Sequence, residues 1–245
     1  MGRVVMHWVI SDIHGCFNQF MAMVEKIEKK DKEYKLIIAG DIIDRGPQTA
    51  EMLQWAMKYG NQPNGRVKVL MGNHEELILD WYNLQFREWL KEGCKNYEPI
   101  PKSGFDFYKV AEQQNWTTEE KIRPIIDFFR QLPYFEVIDT KERKTIVAHA
   151  WAPREERMKQ ILSGAALTYT DKSIFLWDRR LDEAYDSQEY RLIHGHTPTV
   201  NECNKTKAKV HRHHNVINVD CGSNFPKLGG RMAALCIETD KVLYV

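Results

Sequence analysis

The stretch Gly40-Asp41-Ile42-Ile43-Asp44-Arg45-Gly46, placed directly after Leu36-Ile37-Ile38-Ala39, constrains this chain more than any other. The unbroken apolar run reads as a strand buried on both faces. Two carboxylates and a guanidinium at the end of such a strand need partners, because an unpaired charge away from water is costly. Glycines at both ends permit tight turns and close backbone approach. The loop offers a hard oxygen ligand for a cation and a fork for a phosphate oxygen within one turn. It also falls where open α/β sheets bind ligands, at the carboxyl end of a strand. The plain alternative for this loop alone is a surface salt-bridge cluster.

Neighbouring segments repeat the pattern. Val4 to Ile10 reads as a strand and runs into Ser11-Asp12-Ile13-His14-Gly15-Cys16. Phe17, Phe20, Met21, Val24 and Ile27 then recur at helical spacing. Gln48 to Tyr59 reads as a second helix closed by Gly60, and Arg66 to Met71 as a strand ending in Gly72-Asn73-His74-Glu75. Alternating strands and helices imply a mainly parallel sheet with right-handed crossovers, so the three polar strand ends fall along one edge of it.

From Glu75 to about Leu132 the pattern turns helical and aromatic-rich, including Trp81, Trp89, Phe105 and Phe129. We read it as a helical cap inserted over the site, its aromatics mostly ordinary core. Thr117 and Glu120 resemble a capping box, and Pro124 predicts a kink or break. Tyr134–Asp139 and Lys144–Ala148 predict a hairpin around a Lys/Glu/Arg turn, ending in His149-Ala150. Pro153 to Leu162 is helical, and Ser173 to Trp177 is a short apolar run before Asp178-Arg179-Arg180. Leu192-Ile193 leads into His194-Gly195-His196-Thr197-Pro198, and Lys205 to His214 reads as a solvated loop. Val216–Val219, Met232–Ile237 and Val242–Val245 predict strands closing a second sheet. No repeat or linker divides residues 1–245, so the pattern predicts one domain with an insertion at about 75–132.

A formal charge of +1 gives no field that would draw nucleic acid or an anionic membrane, and no apolar stretch has the length of a membrane span. Five cysteines without framework spacing, and a start that runs directly into a strand, predict reduced thiols and a cytoplasmic setting.

Asp12, His14, Asp41, Asn73, His149 and His196 form an oxygen and nitrogen donor set without cysteine. Such a set suits two divalent cations, Mn first, with Fe, Zn, Mg or Ni as alternatives, rather than a structural zinc site. Two histidines, a carboxamide and a carboxylate would hold one ion; Asp12 and His14 would hold the second, with Asp41 bridging. A pair of ions about 3.5–4 Å apart lowers the pKa of a shared water and presents it for in-line attack on a phosphoryl group. Arg45 and Arg179 can clamp the phosphoryl oxygens, with Arg180 as the alternative to Arg179 and Asn73 also facing substrate. His74 is the candidate general acid if Asp44 holds its other nitrogen.

These motifs, taken in order, resemble those of the PPP-type calcineurin-like metallophosphoesterases. The likeness is greatest to the bacterial and phage serine/threonine protein phosphatases of the lambda phage type. The resemblance covers nearly the whole chain. It implies an α/β (α+β) fold with a central two-layer β-sandwich flanked by helices, two metals, and the roles above, with Trp177-Asp178-Arg179 matching the relatives' Trp-x-Arg clamp. Those relatives usually carry Gly after the His-Ala pair, whereas Trp151 stands here and is expected to narrow the pocket or stack on a substrate.

His194 is read as structural, His211, His213 and His214 as solvated, Cys16 as a small buried apolar residue, and Asp220 and Gly222 as turn residues near the site. Three functions are compatible with this. The first, and the one preferred, is a phosphomonoesterase of the serine/threonine protein phosphatase kind, acting on phosphoserine or phosphothreonine in proteins, with phosphotyrosine or a small phosphoester as further substrates. The second is a hydrolase of dinucleoside tetraphosphate or another nucleotide phosphoester. The third is a catalytically silent binding module on the same fold.

Overall fold

Alternation of β-branched strands with amphipathic helices builds the first half of the computed structural model, which describes residues 5–93, 106–140, 143–180, 182–200 and 207–245. In order, the elements are β1 (His7–Ile10), α1 (Phe17–Glu28), β2 (Lys35–Ile38), α2 (Thr49–Tyr59), β3 (Val67–Val69) and α3 (Asn73–Leu84). There follow α4 (Phe86–Lys91), α5 (Phe107–Gln113), α6 (Glu119–Arg130), β4 (Phe135–Asp139), β5 (Lys144–Ala148), α7 (Glu155–Leu162) and α8 (Tyr169–Trp177). The last are β6 (Tyr190–His194), β7 (His211–His213), β8 (Val216–Asn218), β9 (Ala233–Cys236) and β10 (Val242–Tyr244). Val4, Phe105, the Lys141-Glu142 turn and the start of the Lys205–His214 stretch lie outside the described residues.

Two five-stranded mixed sheets result, ordered β10-β9-β1-β2-β3 and β4-β5-β6-β8-β7. In the first, β1, β2 and β3 run parallel. In the second, β5, β6 and β8 do the same. Successive strand residues point to opposite faces. Val9, Ile37 and Leu235 of the first sheet therefore meet Val147, Ile193 and Ile217 of the second in one apolar layer. Trp8, Ile10, Leu36 and Ile38 turn the other way, onto Phe20, Met23 and Ile27 of α1 and Met52 and Leu53 of α2. The sandwich implied by the family resemblance is present. Each buried aliphatic or aromatic side chain in these layers stabilises the fold by about 1.5–3 kcal/mol.

Several local expectations are corrected. The strands at Met232–Ile237 and Val242–Val245 join the first sheet, not the second: β9 pairs antiparallel with β1 (Val9 opposite Leu235) and carries β10 beyond it. An unpaired edge of β1 would expose its ladder groups, and a closing hairpin satisfies them; pattern alone cannot say which sheet such a hairpin joins. His211–His213 is an edge strand on β8 rather than loop. Ser173 to Trp177 is the end of α8. The N-cap of α6 is Thr118, whose side chain accepts from the Lys121 N–H, not Thr117. Pro124 lies within α6 without breaking it. A missing intrahelical bond there costs about 3 kcal/mol, and burial of Ile122, Ile125, Ile126 and Phe129 on one face opposes that loss. Gly60 does cap α2, but in extended rather than left-handed geometry.

The helical segment after β3 is part of the main core. Trp81, Phe86, Trp89, Phe107 and Phe129 are all buried, as expected for core aromatics. No helix among the described residues is long and apolar enough to cross a membrane.

Candidate metal centre

All five parallel strands that precede a proposed ligand (β1, β2, β3, β5 and β6) end on one side of the sandwich. Asp12 and His14 follow β1, Asp41 follows β2, Asn73 opens α3 after β3, His149 follows β5 and His196 follows β6. These residues, with His74 and Asp44, are buried. The turns that deliver them are strained: Asp12, His14, Asp41, Asp44, Arg45 and His196 have φ between 46 and 69°. Non-glycine residues adopt that region only when the surroundings over-determine it, as at functional sites. Two glycines are there because nothing larger fits. A Cβ on Gly40 would lie 2.5 Å from the Gly72 Cα, and one on Gly195 would lie 2.1 Å from an Asp12 carboxylate oxygen.

The turns are tied to one another. His14 and Gly15 N–H groups donate to the Asp41 and Ile42 carbonyls at 2.9 and 3.0 Å. The His196 N–H donates to Asp12 Oδ2 at 2.9 Å, across the two sheets. Glu75, which sequence reasoning left without a role, is the central knot. Its carboxylate accepts from the N–H of Asp41 (2.9 Å), Ile42 (3.0 Å) and Gly72 (2.8 Å). Its place three residues into a helix after a glycine was the available signal, since an acid there reaches back to preceding amides.

Hydrogen bonds to carbonyls also set the imidazole tautomers. A carbonyl can only accept, so His14 Nδ1–H donates to the Ile43 oxygen at 2.9 Å and His149 Nδ1–H to the Ala39 oxygen at 2.9 Å. Both Nε2 lone pairs then face inward. His149 Nε2 lies 2.8 Å from Asn73 Oδ1, 3.1 Å from His196 Nδ1 and 3.5 Å from Asp41 Oδ1. His196 Nδ1 is 2.9 Å from the same Asn73 oxygen. Lone-pair atoms crowd here with few protons to share, an arrangement that a cation satisfies. On the other side of Asp41, His14 Nε2 lies 3.5 Å from Asp41 Oδ2 and 3.9 Å from Asp12 Oδ1. Asp41, His149 and His196 thus form one group of atoms close enough to hold an ion, and His14, Asp41 and His74 another.

Electrostatics prepares the groups for such ions. Burial pushes the His14 imidazole down to about 3, against the pull of Asp41. Burial likewise pushes His196 down to about 2, with His149 and Arg179 adding to the effect. Burial opposes the charge of Asp41, yet His149, His74 and His14 hold its carboxyl well below the usual range. Neutral imidazoles and an ionised carboxylate are the forms that bind metal.

His74 differs from the other histidines. Its Nδ1 lies 2.6 Å from Asp44 Oδ2, and its N–H donates to Asp41 Oδ1 at 3.0 Å. Burial disfavours the charged ring, but Asp41 and Asp44 outweigh it and raise the pKa. Burial pushes Asp44 itself up to about 6. Arg45 spans the cluster, with Nη1 2.9 Å from His14 Nε2 and Nη2 2.9 Å from His74 Nε2.

A family model described as calcineurin-like phosphoesterase matches residues 7–219 of this chain. The chain belongs to the calcineurin-like phosphoesterases. It is 24% identical over 234 residues to the asymmetrical bis(5'-nucleosyl)-tetraphosphatase PrpE of Bacillus subtilis, covering 89% of this chain and 86% of that one. It is 26% identical over 152 residues to serine/threonine-protein phosphatase 2 of Salmonella typhimurium, covering 60% and 58%. The chain spans as little as 42% and 23% of the length of other curated relatives it matches. A Saccharomyces cerevisiae protein serine/threonine phosphatase shares the fold, with a TM-score of 0.64 at 15% identity, over 96% of this chain and 73% of that structure. Calcineurin-like phosphoesterases are metal-dependent phosphoric ester hydrolases, and the donor groups described above fit divalent ions.

At the rim of this phosphoesterase's centre, Arg179 is exposed and near enough to His196 to depress its pKa. Arg180 is instead paired with Asp178 at 2.9 Å and Glu183 at 3.3 Å and lies over the Trp151 ring. Trp151 neither narrows the pocket nor offers a stacking face: it is 3% exposed and packs edge-on against His194 and Tyr185. The aromatic beside the centre is Trp177, which is 39% exposed, edge-on to His196, and donates through Nε1 to Glu76 at 2.7 Å. His194 lies buried under Trp151, and the Asp220 carboxylate accepts from the Gly222 N–H at 2.8 Å, both as read from the sequence.

Proposed function

We propose that this protein is a dinuclear-metal phosphomonoesterase of the serine/threonine protein phosphatase kind. One observation carries the reading: Asp41 turns one carboxylate oxygen toward His14 and the other toward His149, with a His74–Asp44 pair beside it. Asp12, His14 and Asp41 would hold one ion, and Asp41, Asn73, His149 and His196 the other, with Mn the first candidate. Ions bound by these residues would supply Lewis-acid polarisation of the phosphoryl group and a lowered pKa for the attacking water.

The chain's own residues do the rest. Arg45 and Arg179 grip the phosphoryl oxygens and offset the charge that develops on them, and Asn73 orients the group. The attacking water, having given one proton to solvent, bonds through oxygen to phosphorus as the ester P–O bond breaks, and the departing oxygen takes a proton from His74 Nε2. Asp44, accepting from Nδ1–H, favours the imidazolium, the form whose Nε2 carries that proton. Full ligand and acid sets argue against a silent binding module. Free thiols at Cys16, Cys221 and Cys236 suit a reducing cytoplasmic setting.

A second reading has its own support, since a relative matching most of both chains is named as a bis(5'-nucleosyl)-tetraphosphatase. Assays of the Mn-loaded protein on 4-nitrophenyl phosphate, a phosphoserine peptide and diadenosine tetraphosphate decide between the two. The expected result is turnover of the monoesters. Dominant cleavage of the dinucleotide establishes the second reading, and no turnover with any divalent metal defeats both.

A further inference from the structure

We propose that Asp106, at the N-terminus of α5, is a positioning residue for the proton donor. It latches the Asp44-Arg45 turn to the helical insertion. This rests on the reading of His74 as general acid.

Asp44 needs holding. It and Arg45 both lie at φ 66°, and Asp44 is fully buried. Consecutive non-glycine residues in that region are costly unless neighbouring structure imposes the conformation. The Asp44 carboxylate has two oxygens with different partners. Oδ2 faces His74 Nδ1 at 2.6 Å, and Oδ1 accepts the Asp106 N–H at 3.1 Å. The Asp106 carboxylate returns the contact by accepting the Arg45 N–H at 3.4 Å. One residue of the insertion therefore touches both members of the strained pair. Each of those members in turn touches His74: Asp44 through Nδ1, Arg45 through Nε2.

Asp106 is itself anchored. Phe107, the next residue, is fully buried and packs against Trp81 of α3 and Trp116. Because α3 also carries His74, the contacts close a ring: α3, Phe107, Asp106, Asp44, His74 and α3 again. Such a ring holds a carboxylate in one rotamer, which sets the direction in which the imidazole Nε2 points. The insertion thus reaches the reacting proton without touching substrate. A positioning error at a general acid costs rate most where the leaving oxygen most needs a proton.

Leaving-group dependence of the metal-loaded full-length enzyme tests this. His74→Asn is the reference and is expected to slow phenyl phosphate by about 10²–10⁴-fold and 4-nitrophenyl phosphate much less. Asp106→Pro deletes the N–H and should show the same selective loss, about 10-fold or more on phenyl phosphate. Asp106→Ala, which keeps the N–H, should lose less, and Asp106→Asn should restore the acceptor for Arg45. A folded Asp106→Pro enzyme with equal losses on both substrates, or none, overturns the latch. Amide exchange covers the case in which that variant fails to fold: the Asp106 N–H should be protected in the wild type and exchange at least about 10-fold faster in Asp44→Ala. Equal exchange in the two proteins overturns the proposal. If His74→Asn itself shows no leaving-group dependence, the acid assignment fails, and the exchange measurement still decides the latch.

Discussion

The two sheets contribute to the centre in different currencies. Strand ends of the first supply the carboxylates, Asp12, Asp41 and Asp44, on contiguous turns knotted by Glu75. Strand ends of the second supply imidazoles, His149 and His196, one at a time. The sheets are joined where these meet, by the His149 Nδ1–H to the Ala39 carbonyl and the His196 N–H to Asp12. The carboxylates are therefore gathered on the first sheet, with His14 and Asn73 beside them, while the second sheet adds imidazole lone pairs that cost less to bury than charges. All the carboxylates of the centre thus come from one half of the sandwich, whereas both halves supply its neutral donors.

The strongest way to break that comparison is to remove the shared charge. Asp41→Asn should abolish binding of both ions and reduce turnover by more than about 10⁴-fold, beyond the cost of losing a general acid. Metal analysis that still finds two ions in this variant contradicts the bridging role. His74→Asn, within the first half but outside the assigned ligands, should retain both ions and slow turnover by about 10²–10⁴-fold; normal rates in the folded variant remove His74 from the mechanism. His149→Ala probes the second half alone. It should weaken one ion and leave the Asp12/His14 position titratable, while orphaning the Ala39 carbonyl at a cost of about 1–3 kcal/mol in denaturant stability. Loss of both ions together in a metal titration shows that the halves are not separable.

The smallest effect is shared between the sheets. Burial holds His14 down to about 3 and His196 down to about 2 in the fold, whereas an unfolded imidazole titrates near 6.5. Across that interval the unfolded chain binds more protons at these two rings, so their contribution to the metal-free protein's stability is complete above about pH 6.5 and is lost as pH falls. The carboxyls of Asp44 and Glu75, which burial pushes up to about 6 and about 7, act in the opposite direction. The contribution of one ring is isolated by comparison: between about pH 7.5 and pH 5 the denaturant midpoint of the metal-free protein should fall further than that of His196→Ala, and equal falls mean that this imidazole does not stay neutral in the fold.

Strand ends were legible because polar residues beside glycine, after an apolar run, have few structural explanations. That reasoning located Asp12, Asp41 and Asn73 on one edge, and order along the chain added His149 and His196. Other features were not legible. The β9–β10 hairpin went to the first sheet because its β1 edge needed pairing, a property of the assembled sheet and not of the hairpin's own pattern. Trp151 and Trp177 are the same residue type near the same centre, yet one is buried under Arg180 and the other borders the site. Periodicity reports which side chains are apolar, not which of them remain at a surface.

The amino-acid order alone determined the alternation of strand and helix, the donor chemistry and the positions where it emerges, because these follow from local periodicity and residue type. Tertiary structure alone decided that two sheets bring their ends together, that Glu75 and Asp106 bond to the turns, and that Arg180 is paired with Asp178 and Glu183 over the Trp151 ring while Arg179 stays exposed. Those outcomes depend on contacts between residues tens of positions apart, and burial and hydrogen-bond satisfaction select them only once the layers have packed.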